Sequence, residues 1–350
     1  MTYQSFANEG YLLTEAERQA IDATIVEQYR VALQNINDKI GAMLAKAREA
    51  GISPKDQYNW LIQYNRLESL REQITAEYKK LGGSVRRLQI EAFDLSFSNQ
   101  YYRTSFQLDW GEPLTFSPLD PNLVRYASTG ELEAWKAIKA EIGAADNYTP
   151  VAGTLKELIA TNQDKAIKDI WTQVNAGLIN GEGITDIAKR IKTVIGGVYD
   201  GKVFGDLYKA LRIAHTEGHR AQNMAEIARA HEAQAAGVNV LKMWDATLDD
   251  AVRPEHAVLD GVRVPLDGTW NMAGYQVSHP GDPSLPASLT VNCRCHSVTV
   301  TEAYEPTARR GRDPVTGKNE VFSYKTFETW AKEKGLVKNK YGRMYVQGAA

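Results

Sequence analysis

The chain has 350 residues, 43% of them hydrophobic and 24% charged, with 41 Lys plus Arg against 43 Asp plus Glu and a formal net charge of −2. That is chain enough for two domains, or for one with a long helical extension, and the balance excludes wholesale disorder and whole-chain attraction to DNA or to a membrane surface. No apolar run reaches the roughly 18 residues of a membrane span. The start, MTYQSFANEGYLLTEAERQ, lacks the basic and apolar regions of a secretory signal, so the expected setting is a cytoplasm with no membrane contact.

In chain order, the first segment (1–110) reads as a long helical hairpin. Thr14 with Glu17 fits a capping box, and Ile21, Ile25, Tyr29, Leu33, Ile36, Ile40, Met43 and Leu44 recur near the helical period. Gly51 closes this helix, and Ser53-Pro54 supplies a cap and a first-turn proline for the next. Trp60, Leu61, Tyr64, Leu67, Leu70, Ile74, Tyr78 and Leu81 share a face; Gly82-Gly83 interrupts it, and Val85, Leu88, Ala92 and Leu95 resume it. A helix of about 30 residues spans roughly 45 Å, so such a stripe must be covered by the rest of the chain or by a partner. Tyr58, Trp60 and Tyr64, like Tyr101, Tyr102 and Phe106, read as packing or interface aromatics.

The Gly/Pro/Ser-rich stretch DWGEPLTFSPLDP (109–121) marks a boundary. Segment 111–200 reads as a helical connector, with helices near 130–142, 154–177 and 184–195 separated by Gly143, Asn180-Gly181 and Gly196-Gly197. A helix at 203–236 carries Phe204, Leu207, Leu211 and a series of alanines inward. After Gly237 short strands are expected at Val238–Trp244, Val262–Val264 and His296–Thr301, around a long loop from Asp267 to Pro286. Segment 201–305 is thus a small α+β module, and 306–350 a basic tail with a short helix at Tyr324–Lys334. The expected fold class is α+β and mostly helical: a long N-terminal helical hairpin and bundle, then a module of short antiparallel strands.

Several side-chain groups can carry chemistry. Cys293 and Cys295 are the only cysteines, and one intervening residue makes a disulfide between them strained. With His256 they could hold a structural Zn²⁺, the fourth ligand coming from His279, His296 or Asp260, since zinc takes four N, S or O donors. The competing reading is two small buried residues at a strand start beside a hydrogen-bonded turn histidine. His215 and His219 lie one helical turn apart, but Glu217 is rotated about 200° from His215, off any shared metal face. That excludes a metalloprotease base and suits a Glu217–Arg220 pair at i, i+3. Asp249, Asp250, Arg253, Glu255, His256 and Asp260 crowd one turn-rich stretch; Mg²⁺-binding carboxylates would serve a nuclease, whereas turn formers anchored by Arg253 need no metal, and the second reading is preferred. Arg309, Arg310 and Arg312, with Lys318 and Lys325, either meet DNA phosphates or form a solvated tail. No phosphate-loop, nucleophile-elbow or dinucleotide fingerprint occurs.

The strings RIAHTEGHRAQN (212–223), WDATLDDAVRPEHAVLDG (244–261) and, after Pro283 and Pro286, NCRCH (292–296) follow in fixed order, preceded by GLINGEGITDIAKRI (177–191). In that order and spacing the chain resembles the phage Mu F-like minor head proteins over about 160–300, through Thr216-Glu217, Trp244, Arg253, His256, Asp260-Gly261 and Cys293-Arg294-Cys295. That family usually carries Arg before the Thr-Glu pair, where His215 stands here, so a salt bridge from that slot is not carried over. The resemblance implies a non-enzymatic, low-copy virion protein inside the head near the portal, assembled in the host cytoplasm and assisting head assembly, DNA packaging or DNA delivery. Its expected partners are the portal protein, then scaffold or major capsid protein, and packaged DNA. Thr216, Glu217, Arg253 and Asp260 are its expected structural polar residues. The alternative is a metal-dependent enzyme or effector, nuclease-like or toxin-like, carried by the head module.

Overall fold

The computed structural model describes residues 3–111, 114, 118–129, 155–302, 304–340 and 342–346. The chain divides into two compact units that cut across the segments read from composition. One comprises Glu15–Ala92 and Thr154–Ala214; the other comprises Met1–Thr14, Phe93–Gly153 and His215–Ala350, as far as these are described. Mostly helical α+β is the fold observed.

The first of these units is helical. α1 (Tyr3–Glu49) and α3 (Arg66–Gly111) supply its long helices, joined through the short α2 (Gln57–Gln63). α1 begins well before Thr14, so the Thr14–Glu17 pair lies inside a helix and is not its start. Ile21, Ile25, Tyr29, Ile36, Ile40, Leu70, Ile74, Tyr78 and Leu81 are buried, as their period dictates. α3 runs unbroken through Gly82-Gly83. There the missing side chain makes room: Gln163 of α5 (Leu155–Ile179) lies against Gly82 and donates to the carbonyls of Tyr78 and Lys79. α6 (Ile184–Ile195) buries Ile187, Ile191 and Ile195, and a hairpin of β1 (Gly197–Tyr199) and β2 (Lys202–Phe204) leads into α7 (Gly205–Ala235). The polar centre of this unit is Asp206, whose carboxylate accepts hydrogen bonds from Tyr29 (3.0 Å) and Tyr78. The expected helix at 130–142 lies outside the described residues.

In the other unit the end of α3, α4 (Pro121–Thr129) and α7 from His215 onward bury Phe93, Phe97, Tyr101, Leu123, Ala221, Met224, Ala225 and Ala228 together. A three-stranded antiparallel sheet has the order β4 (Arg263–Pro265), β3 (Leu241–Asp245), β7 (His296–Val300), with Met243 opposite Val298 and Arg263. The stretch expected as plain loop holds a hairpin, β5 (Trp270–Met272) and β6 (Tyr275–Val277), turning through Ala273 and Gly274, both at positive φ (51° and 89°). Two one-turn helices, α8 (Pro254–Ala257) and α9 (Ala287–Thr290), position the residues that precede β4 and β7.

The described residues between 306 and 346 are no tail. They form β8 (Ala308–Arg312) and β9 (Asn319–Ser323), α10 (Phe327–Glu333), and the pair β10 (Leu336–Lys338) and β11 (Met344–Val346). Phe327, Trp330, Ala331 and Leu336 share one apolar core with Trp244, Leu248, Trp270, Met272 and Leu289. Gly311 of β8 bridges to Leu248 so closely that a Cβ there would lie 2.7 Å from the Leu248 Cβ.

Candidate functional site

The sheet-bearing unit is organised around an edge strand. Alternate residues of β7 and of the run before it turn their backbone groups away from β3, an arrangement that leaves an unpaired edge. A polar stripe on α7, at the helical spacing His219, Asn223, Glu226, meets those groups in order. His219 Nε2 lies 2.6 Å from the Cys295 carbonyl, and Asn223 Oδ1 accepts from the Ser297 amide at 2.7 Å. Glu226 Oε1 accepts from the Thr299 amide (2.8 Å) and hydroxyl (2.6 Å), while Gln107 of α3 donates to the Thr299 carbonyl at 3.1 Å. The other Glu226 oxygen accepts from Gln100 at 2.7 Å and from Thr104. A buried carboxylate is tolerated because its acceptor sites are filled.

A second polar centre ties the C-terminal strands to β3. Arg309 is 5% exposed. Its guanidinium meets Asp245 at 2.8 Å and Asp260 at 2.5 and 2.9 Å, and donates to the carbonyls of Lys325 (2.8 Å) and Ala246. Asp260 also accepts from the amides of Ala246 (2.8 Å) and Phe327 (2.6 Å). Burial raises the Asp245 carboxyl to about 6 against the pull of Arg309. Arg309 therefore cannot be a DNA contact, because its donors are spent inside the fold. Arg310 is half-buried, Lys325 pairs with Glu333 at 2.6 Å, and of the three arginines Arg312 is the exposed one.

The remaining polar residues are similarly engaged. Glu217 and Arg220 form a buried ion pair on α7. Thr216 accepts from the Asn292 amide, and Arg253, at the start of α8, donates to the Val291 carbonyl at 2.5 Å. Asp249 pairs with Arg294 at 2.7 Å and accepts from the Ala251 amide. Asp250 and Glu255 are exposed. Asp282, in the Gly-Asp-Pro-Ser run, accepts from the amides and hydroxyls of Ser278 and Ser284.

The thiols meet a histidine. Cys293, Cys295 and His256 are all buried, and one ligand atom from each falls within 4.8 Å of the others. His256 Nδ1 is 3.6 Å from the Cys293 sulfur and 3.5 Å from the Cys295 sulfur. Asn292 at φ 57° aims the extended Cys-Arg-Cys run, in which alternation puts both sulfurs on one side. The Cys293 thiol is pulled well below its usual value by hydrogen bonds from Cys295, His219 and His256, while Cys295 is pushed up by sharing its proton with Cys293 and by burial. None of the three residues considered for a fourth ligand joins this group. His279 is buried elsewhere with Nδ1 3.0 Å from the Pro280 carbonyl, Asp260 is committed to Arg309, and His296 stacks edge-on with His219 at 4.7 Å.

Residues 168–298, which hold the Thr-Glu helix, the Trp244 strand and the Cys-Arg-Cys run, match the family described as Phage Mu protein F like protein. The chain resembles that family over this module. Along 330 residues, 92% of this chain and 94% of the relative, it is 27% identical to the minor head protein GP7 of Bacillus phage SPP1. Over 182 residues, 52% of this chain, it is 29% identical to the NAD(+)–arginine ADP-ribosyltransferase EFV of Enterococcus faecalis (strain ATCC 700802 / V583), and it spans 35% of that protein. No solved structure matches the chain. Among the described residues no helix is long and apolar enough to cross a membrane.

Proposed function

We propose that this chain is a non-enzymatic structural protein of a phage head, present in few copies at the portal, where it assists head assembly, DNA packaging or DNA delivery. The observation that carries this reading is the near-full-length similarity to a protein named as a minor head protein. The disposition of charge supports it. Asp245, Asp249, Asp260 and Asp282 are spent on Arg309, Arg294, backbone amides and serines, an arrangement suited to rigidity and not to turnover. Portal protein is the first partner, with scaffold, major capsid protein and packaged DNA as further ones, and the head interior is the place of action, reached from the host cytoplasm.

Co-expression with the portal protein of the same phage tests this. The expected result is a complex on size exclusion and incorporation into assembled heads. A chain that stays apart from portal and is missing from particles overturns the reading. The partial match to an ADP-ribosyltransferase favours one second reading, an effector carried by a head module. It predicts NAD⁺ consumption by the purified chain, and the structural reading predicts none.

A further inference from the structure

We propose that Cys293, Cys295 and His256 bind one zinc-class divalent cation that clips α8 to the run entering β7. The geometry carries the proposal. Metal bonds of about 2.3 Å to sulfur and about 2.0–2.1 Å to nitrogen, at the tetrahedral angle, place N and S about 3.5–3.6 Å apart. The two N···S separations here are 3.6 and 3.5 Å. A hydrogen bond alone does not account for the pair. Nδ1 has one lone pair or one proton, so it serves one sulfur well and not two at equal distance. A common centre serves both.

The donor set also selects the cation. Two thiolates and an imidazole are soft and borderline ligands, which suit zinc and reject magnesium or calcium. All three side chains are buried, and the Trp244 ring stands edge-on to His256 at 5.7 Å, so the site is enclosed as structural sites are. On the α7 side, His219 Nε2 lies 2.6 Å from the Cys295 carbonyl, so the fourth position falls to a water. The cation would join segments 37 and 39 residues apart in a region of one-turn helices and short strands, where binding energy becomes folding energy. This site is independent of the head-protein reading, since a clip of this kind would serve any role.

The test uses the full chain, expressed in zinc-supplemented medium and purified without a histidine tag. Elemental analysis is expected to give about one zinc per chain, falling at least tenfold in the Cys293→Ser/Cys295→Ser variant. Should that variant fail to fold, Co²⁺ added to chelator-stripped wild type decides instead. Tetrahedral d–d bands and a sulfur-to-cobalt charge-transfer band, both erased by added zinc, support the proposal. Less than about a tenth of a zinc per chain, with no thiolate–cobalt band, overturns it.

Discussion

The two units solve the same problem, holding a chain in one conformation, with different materials. In the helical unit the inward face is almost wholly apolar, and Asp206 with its two tyrosines is the main polar intrusion. In the sheet-bearing unit the strands are three to five residues long, and buried charge does much of the joining: Arg309 between Asp245 and Asp260, Glu226 along the edge of β7, Asp282 within its loop. Apolar burial is forgiving of small errors, because neighbouring side chains collapse into part of the space. A buried ionic centre is not, because losing one partner strands the others in a poor solvent.

That contrast fixes the order of expected damage. Arg309→Ala leaves Asp245 and Asp260 buried without a cation and is expected to cost about 3–5 kcal/mol in denaturant unfolding. A loss under about 1 kcal/mol would show that the carboxylates find water instead, and the contrast between units would dissolve. Glu226→Ala strips partners from the Thr299 amide and hydroxyl, for about 2–3 kcal/mol, and should speed amide exchange at Thr299 before it affects α1. In the helical unit Ile36→Val removes one buried methylene, for about 1 kcal/mol, and should leave exchange in β7 unchanged.

A pH scan sharpens the comparison without mutation. Burial holds the His279 imidazole below its usual value, with Arg220 and Lys242 acting in the same direction and Asp282 against it. The folded state therefore keeps His279 neutral while the unfolded chain takes a proton near pH 6.5, so stability is full above that pH and declines as pH falls toward the lower folded value. His231 and His296 are shifted the same way, the latter to about 3. His279→Leu should flatten the acid limb of melting temperature against pH without levelling it, and an unchanged limb would discard His279 as a contributor.

Legibility in the sequence followed the same division. Helical period alone places the buried faces of α1 and α3, and the Ile184–Ile195 helix is marked by its glycine borders and isoleucine spacing. Gly82-Gly83 misleads, because a glycine kept for close packing looks identical to a helix breaker. The β5–β6 hairpin is hidden because its turn uses Ala273 at positive φ, where turn rules look for Asn, Asp or Gly. Asp282 was discoverable, since Asp followed by Pro-Ser is a turn signature whose carboxylate reaches back to the amide two residues on. The His219–Asn223–Glu226 stripe was not: its meaning depends on residues 295–299, more than 70 positions away, and no local pattern encodes that register. Arg309 failed for the related reason that a cluster of arginines reads as solvated until its distant carboxylates are placed beside it. Of the metal candidates, the Cys-x-Cys spacing with a preceding histidine was visible, and His279 shows how composition overcounts ligands.

The route of Trp330 and Leu336 into the core around Trp244 has a consequence for biosynthesis. At about 5–20 residues per second, roughly 4–17 s of translation separate Trp244 from Trp330. The ribosome therefore delivers the first half of that core well before the second. Through that interval Trp244, Trp270 and Met272 lack the surface that covers them in the finished fold. A nascent chain in this state offers sticky apolar side chains and a carboxylate pair, Asp245 and Asp260, still waiting for Arg309. Pausing or truncation between these points should be felt as aggregation in the cell and go unseen in refolding from denaturant, where the whole chain is present from the start.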